Sequence, residues 1–174
     1  ITHGPVVTQS YFNRDEATRL AKIKDEATGR FRHRMGDLGW FDDQGRLWFC
    51  GRKKHRLETA LGPMYTIPVE GVFNTHPRVF RTALVSLGAP GNEVPVLCVE
   101  PESGYTDRVN DETFARELVS ELREMGKGFE HTRSVNRFIL MKSFPVDIRH
   151  NSKIFREKLR LQVGKNKGKV RVES

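Results

Sequence analysis

At 174 residues, 37% hydrophobic and with a formal net charge of +8, the chain has the apolar content for one good core, or for one core and a fragment of another. No apolar run nears the ~20 residues that span a bilayer, and Ile1-Thr2-His3-Gly4-Pro5 lacks the basic and apolar regions of a signal peptide, so no transmembrane segment and a cytoplasmic setting are expected. Basic residues are spread along the chain without aromatic interleaving or a recognisable binding motif, which argues against specific nucleic-acid binding and for a solvated basic face or attraction to anionic substrates.

In chain order, Pro5 to Phe12 reads as extended. Asn13-Arg14-Asp15-Glu16 offers an N-cap with an acid three residues on, predicting a helix through about Lys24. A short strand is expected over Phe31 to Met35. Asp42-Asp43-Gln44-Gly45 is a turn signal between aromatic-rich segments, which predicts a β-hairpin. Asp37 lies between two glycines just before its first strand, where little bulk keeps a ligand from the carboxylate. An acceptor-only carboxylate suits a pair of vicinal hydroxyls, and Arg52, where the chain leaves the sheet, suits a sugar or phosphate. The same residues also read as a solvated turn acid and a basic loop.

Beyond Lys54 a second hairpin is expected from Arg56 to Tyr65 around Gly62-Pro63, then a short helix from Pro68 to Asn74 with proline in its first turn. Val79 to Leu87 and Val94 to Glu100 read as paired strands across the Gly88-Ala89-Pro90-Gly91-Asn92 turn. Ser103 to Asn110 reads as a polar loop, and Asp111 starts a helix with Phe114, Leu118, Leu122 and Met125 on one face. A strand over Arg133 to Met141 follows. Pro145 to His150 resists helix, and a last helix runs from Asn151 or Ser152 to about Val163, stacking Phe155, Leu159 and Val163. The fold class is therefore α+β. Residues 164–174 form a basic tail expected to be flexible. Cys50 and Cys98 sit in apolar strand-like runs without ligand spacing, so buried free thiols and no metal site in this chain are expected. Lys153 falls in the first turn of the last helix, where the macrodipole disfavours a cation. It reads either as a surface lysine on a basic helix or as one placed there for use.

Gly36-Asp37-Leu38-Gly39, then Asp42-Asp43-Gln44-Gly45, then Gly51-Arg52-Lys53-Lys54 resembles the motif series of the adenylate-forming superfamily of acyl-CoA synthetases, acyl-AMP ligases and adenylation domains. That resemblance implies that Asp37 holds the ribose hydroxyls of ATP or acyl-AMP, that Arg52 also contacts the nucleotide, and that Lys54 is the hinge of a small swinging domain. It divides the chain into the β-rich end of an N-terminal nucleotide-binding domain over 1–52, a mobile C-terminal domain over 53–163 hinged at 53–54, and the tail. The segment from Pro145 through Ser152-Lys153-Ile154-Phe155-Arg156 is similar to the family's Pro-x-x-x-x-Gly-Lys-Ile-x-Arg. Its lysine, here Lys153, is implied to bridge the substrate carboxylate and the α-phosphate as negative charge builds.

Ser152 stands where that family has glycine, and Asp147-Ile148-Arg149-His150-Asn151 replaces its glycine-rich approach. Arg149-His150-Asn151-Ser152-Lys153-Ile154 after Pro145-Val146-Asp147, with Gly62-Pro63-Met64-Tyr65, resembles the β-lactone synthetases of bacterial olefin biosynthesis. Gly62, Tyr65 and His150 then become candidates for a substrate or second-step region, with His150 also readable as a histidine that bonds its own loop. In CoA ligases the glycine region lines the thiol passage. Pro63 stiffens it and removes a donor, which favours ring closure on the acyl-AMP over CoA transfer. The resemblance implies ATP as cofactor, Mg2+ held in an upstream N-terminal part with the phosphate loop, a long-chain 2-alkyl-3-hydroxy acid or fatty acid as substrate, a pathway-enzyme complex, and no activity for this stretch alone. A fatty acyl-CoA synthetase or fatty acyl-AMP ligase is the alternative among enzymes, and a non-catalytic basic binding module is the alternative outside them.

Overall fold

Residues 1–147, 149–165 and 171–172 are described by the computed structural model, in which the chain separates into two units, Ile1–Lys54 and His55–Ser174. The mixed α+β architecture is that expected from the sequence.

The first unit is built from local pairings. Strands β1 (Thr2–His3), β2 (Lys22–Lys24) and β3 (Phe31–His33) form an antiparallel sheet in the order β1-β3-β2. Helix α1 (Asp15–Ala21) is shorter than predicted, because Lys22, Ile23 and Lys24 pair with His33, Arg32 and Phe31 instead of continuing the helix. Asn13 does not cap it. Its φ of 50° is left-handed, and Arg14 stands at the cap without a side-chain bond. The predicted hairpin is present as β4 (Asp37–Phe41) and β5 (Leu47–Arg52).

The second unit carries the core. Strands β8 (Val79–Leu87), β9 (Val94–Pro101), β10 (Arg137–Leu140) and β13 (Arg171–Val172) make a four-stranded sheet in the order β13-β10-β9-β8, with β10 parallel to β9 and the other pairs antiparallel. Period-two alternation sends Leu84, Leu97, Val99 and Phe138 to one face and Ala83, Val85, Val96, Cys98 and Ile139 to the other. Helices α2 (Thr66–Phe73) and α3 (Glu112–Lys127) cover the first face with Val69, Phe73, Phe114, Leu118 and Leu122. Helix α4 (Arg156–Lys165) covers the second with Leu159 and Val163. Asp111 caps α3 as predicted, its Oδ1 accepting from the N–H groups of Thr113 and Phe114. Cys50 and Cys98 are buried free thiols.

Several expectations shift. The second hairpin pairs β6 (Leu57–Thr59) with β7 (Gly62–Met64), and it turns at Ala60-Leu61, not at Gly62-Pro63. Gly62 opens the return strand at φ 115°, and its carbonyl accepts from the Thr59 hydroxyl at 2.7 Å. Ser103–Asn110 is a 3-10 helix, not a loop, and the strand expected from Arg133 shortens to β10 because Arg133 and Val135 complete turns after α3. The largest correction concerns the last helix. Residues His150–Ile154 form strand β12 against β11 (Val146–Asp147), and α4 starts only at Arg156. Asp147 Oδ1 accepts the Arg149 N–H at 3.0 Å, and the Phe155 N–H donates to the Pro145 carbonyl at 2.8 Å, so side chain and strand supply the bonds a helix would have made. The expected flexible tail falls, at 166–170 and 173–174, outside the described residues.

Candidate functional site

The β4–β5 hairpin places two of the predicted residues opposite each other. Register pairs Asp37 with Arg52, Leu38 with Gly51, Trp40 with Trp48 and Phe41 with Leu47, and a bulge between Leu38 and Gly39 takes up one extra residue on β5. Arg52 Nη1 lies 3.0 Å from Asp37 Oδ1 and donates to the Met35 carbonyl at 2.7 Å. The Lys53 N–H donates to the Gly36 carbonyl at 2.8 Å, closing the strand end. Asp37 keeps 30% of its side chain exposed and Arg52 51%. The pair is thus an anchored carboxylate beside a guanidinium, open to solvent, an acceptor suited to hydroxyl donors next to a donor suited to anionic oxygens. Gly39 is required at its position, because a Cβ there would lie 2.7 Å from the Trp48 carbonyl oxygen.

At the far end, Asp42 locks the turn. Its Oδ2 accepts from the Trp48 indole N–H at 2.8 Å and from Arg46 Nε at 2.7 Å, and its Oδ1 accepts from the Gln44 and Arg46 backbone N–H groups. The Trp48 bond, with those from Arg46 and Gln44, holds the Asp42 carboxyl down at about 2. Gly45, at φ 74°, completes the turn.

Lys54 lies in the 3-10 turn Lys53–His55, at the last residue of the first unit. Lys153 belongs to the second unit, exposed on β12 and not in a helical turn, so the macrodipole argument for it does not apply. On the same hairpin the Asp147 carboxyl is held below its ordinary value chiefly by the Arg149 side chain, then by the Arg149 N–H, with a further contribution from the Lys153 charge. The hairpin therefore carries an exposed lysine and a buried acid already engaged by arginine.

Two residues that sequence reasoning passed over stand behind that hairpin. Arg156 forms a bidentate pair with Glu70 of α2 at 2.5 and 2.7 Å, and Glu70 Oε1 also accepts the Leu84 N–H at 2.6 Å. Burial pushes the Glu70 carboxyl up, and the Arg156 guanidinium opposes that push. The available signals were an acid among the apolar positions of α2 and the arginine that closes the lysine motif.

Gly62 and Tyr65 meet at a cavity of about 240 Å³, lined also by Met64, Pro68, His131 and Arg133. His131 Nε2 lies 3.2 Å from the Pro68 carbonyl. His150 is placed by its backbone in β12, opposite Asp147, and the expectation for its ring falls outside the described side chains. Among the described residues no three His, Cys, Asp or Glu are gathered to hold a metal, and no helix is long and apolar enough to cross a membrane.

No family model matches the chain. An olefin β-lactone synthetase from Xanthomonas campestris pv. campestris is 55% identical over 159 residues, 90% of this chain. Another, from Stenotrophomonas maltophilia, is 52% identical over the same number. The chain spans 28% of the length of each of these relatives. Among solved structures, the o-succinylbenzoate CoA synthetase of Bacillus subtilis, in complex with its acyl-adenylate intermediate, matches 91% of this chain and 29% of its own at a TM-score of 0.69 and 22% identity. That likeness shows the fold alone: the mixed α+β architecture of this chain recurs in the part of that synthetase it matches.

Proposed function

We propose that this chain, which resembles the C-terminal part of the adenylate-forming enzymes in sequence and in fold, belongs to a longer ATP-dependent, AMP-forming acid ligase of the β-lactone synthetase type. The observation that carries the reading is the 55% identity to an olefin β-lactone synthetase over nine tenths of the chain. On this reading residues 1–52 end the nucleotide-binding domain, Lys53-Lys54 is the hinge, and residues 53–163 swing about it. A cytoplasmic setting and a pathway-enzyme complex go with that role.

In the first half-reaction the acid's carboxylate oxygen attacks the α-phosphorus of ATP and pyrophosphate leaves, giving an acyl-AMP. Asp37 accepts the ribose hydroxyls and Arg52, steadied on Asp37 and the Met35 carbonyl, faces the nucleotide. Lys153 supplies a point charge to the oxygens that gain negative charge, an interaction strongest in the transition state. In the second half-reaction the substrate's own 3-hydroxyl attacks the acyl carbon, AMP leaves, and the four-membered ring closes. Gly62 and Tyr65 border the region assigned to that step, with His150 a candidate to take the hydroxyl proton. Mg2+ is assigned to the upstream N-terminal part of the longer protein.

Product analysis of the longer protein with ATP and a long-chain 2-alkyl-3-hydroxy acid decides the reaction. A β-lactone formed without CoA supports it, and an acyl-CoA ester that requires CoA overturns it. For Lys153→Ala, turnover in ATP–pyrophosphate exchange should fall by about 10²–10³-fold with little change in KM. A raised KM at unchanged turnover would remove Lys153 from the chemistry.

A further inference from the structure

Three residues beyond Lys153 the chain enters α4 with a charge held in the interior. Arg156 is 13% exposed and Glu70 7%, and besides its two bonds to Glu70 the guanidinium donates to the Leu84 carbonyl at 3.2 Å. One helical turn later Arg160 meets the buried Glu93 at 3.2 Å and donates to the Gly88 carbonyl at 3.0 Å. Glu93 in turn accepts the Glu58 N–H of β6 at 2.7 Å and the Ser86 hydroxyl at 2.6 Å. Between the two arginines, Glu157 lies 3.6 Å from His55. Helix α4 is thus tied to α2, to the edge of the sheet, and to the strand that follows the boundary at Lys54.

Buried ion pairs of this kind contribute little net stability, since apolar residues of the same volume serve as well. What a bidentate guanidinium–carboxylate pair does fix is orientation. We propose that Arg156 is a positioning residue for Lys153: its two-pronged hold on Glu70, braced by Arg160 on Glu93, sets where the β11–β12 hairpin ends and so where the lysine is delivered. The proposal rests on the reading of Lys153 given above. The two residues stand three positions apart, at most ~10 Å of chain, and Ile154 and Phe155 between them are held by the Val146–Ile154 pairing and the bond from Phe155 to Pro145. Displacement by ~1 Å is enough to cost about 10²-fold in rate.

The test uses the longer protein and separates position from stability. Arg156→Lys keeps the charge and removes the fork. Its turnover in ATP–pyrophosphate exchange should fall by about 10-fold or more, with KM for ATP and acid within about 2-fold and lactone formation from supplied acyl-AMP within about 3-fold. Val163→Ala, which loosens α4 without touching either arginine pair, should lower the melting temperature and leave exchange turnover near the parent value. Wild-type exchange in Arg156→Lys, or an equal fall in Val163→Ala, overturns the proposal. Should Arg156→Lys fail to fold, Arg160→Ala decides instead, a loss of turnover at constant KM supporting the proposal and unchanged turnover overturning it. Parent-level exchange in Lys153→Ala would overturn the reading of Lys153 itself, whereas a dead Lys153→Ala beside a fully active Arg156→Lys would overturn the positioning role alone.

Discussion

Trp40 and Trp48 stack at 6.0 Å between centroids with about half of each ring open to solvent, whereas Phe73 and Phe138 meet edge to face at 6.1 Å with none of either exposed. The first pair joins two strands of the same hairpin. The second joins a helix to a sheet some sixty residues away in sequence. Among the described residues of the first unit only Lys22, Cys50 and Gly51 are buried, while the second unit buries two apolar layers, one on each face of its sheet. Cross-strand pairs supply ~0.2–1 kcal/mol each, and a lone hairpin is marginal in water. The Asp37–Arg52 pair is thus displayed by local register, whereas the lysine hairpin is displayed by a folded body.

The sharpest break of that comparison is to cut the chain. Residues 55–174 expressed alone should unfold cooperatively in a thermal melt followed by circular dichroism, and residues 1–54 alone should show no cooperative transition; a sigmoidal melt for the short piece would refute the contrast. Within the whole chain, Phe73→Ala should cost about 3–5 kcal/mol by urea unfolding, through a cavity in the layer formed with Phe138 and Leu122. Trp40→Ala should cost no more than about 1.5 kcal/mol, the value of an exposed aromatic pair, and equal losses would erase the distinction between the units.

The smallest effect is in pH. Asp42 has its carboxyl lowered from 3.8 to about 2, so the turn it locks is fully supported above 3.8 and loses that support as the pH falls through about 2. Trp48 fluorescence should report a transition in that window. A midpoint near 3.8 would mean that the Trp48–Asp42 bond is not formed in solution.

Strand content was legible where alternation was strong. Val79–Leu87 and Val94–Pro101 show it plainly, and the Asp111 cap is a local signal that needs no tertiary partner. The Asp37–Arg52 pairing follows from the turn at Asp42–Gly45 once the bulge is allowed for. The lysine hairpin was not legible. Phe155, Leu159 and Val163 repeat every four residues, and that spacing draws the helix back across Lys153, while the competing signal is a two-residue strand at Val146–Asp147 and an aspartate turn. Nor could periodicity show Glu70 and Arg156 as partners, since they stand 86 positions apart. The reading of Asp37, Arg52 and Lys153 as candidate site residues came from resemblance, and geometry then showed that Asp37 and Arg52 touch.

Placing Lys153 on a strand has a consequence for how this region tolerates change in length. Ile154 packs against the layer of Ala83, Val85 and Val163, while Lys153 is exposed. On a helix, one added residue would swing the lysine by roughly 100° and leave part of its reach intact. On a strand it would turn the lysine over to the opposite face. Insertions between Lys153 and the packed Ile154 are therefore governed by parity, with even steps keeping the ammonium group outward and odd steps driving it to the face that Ile154 occupies.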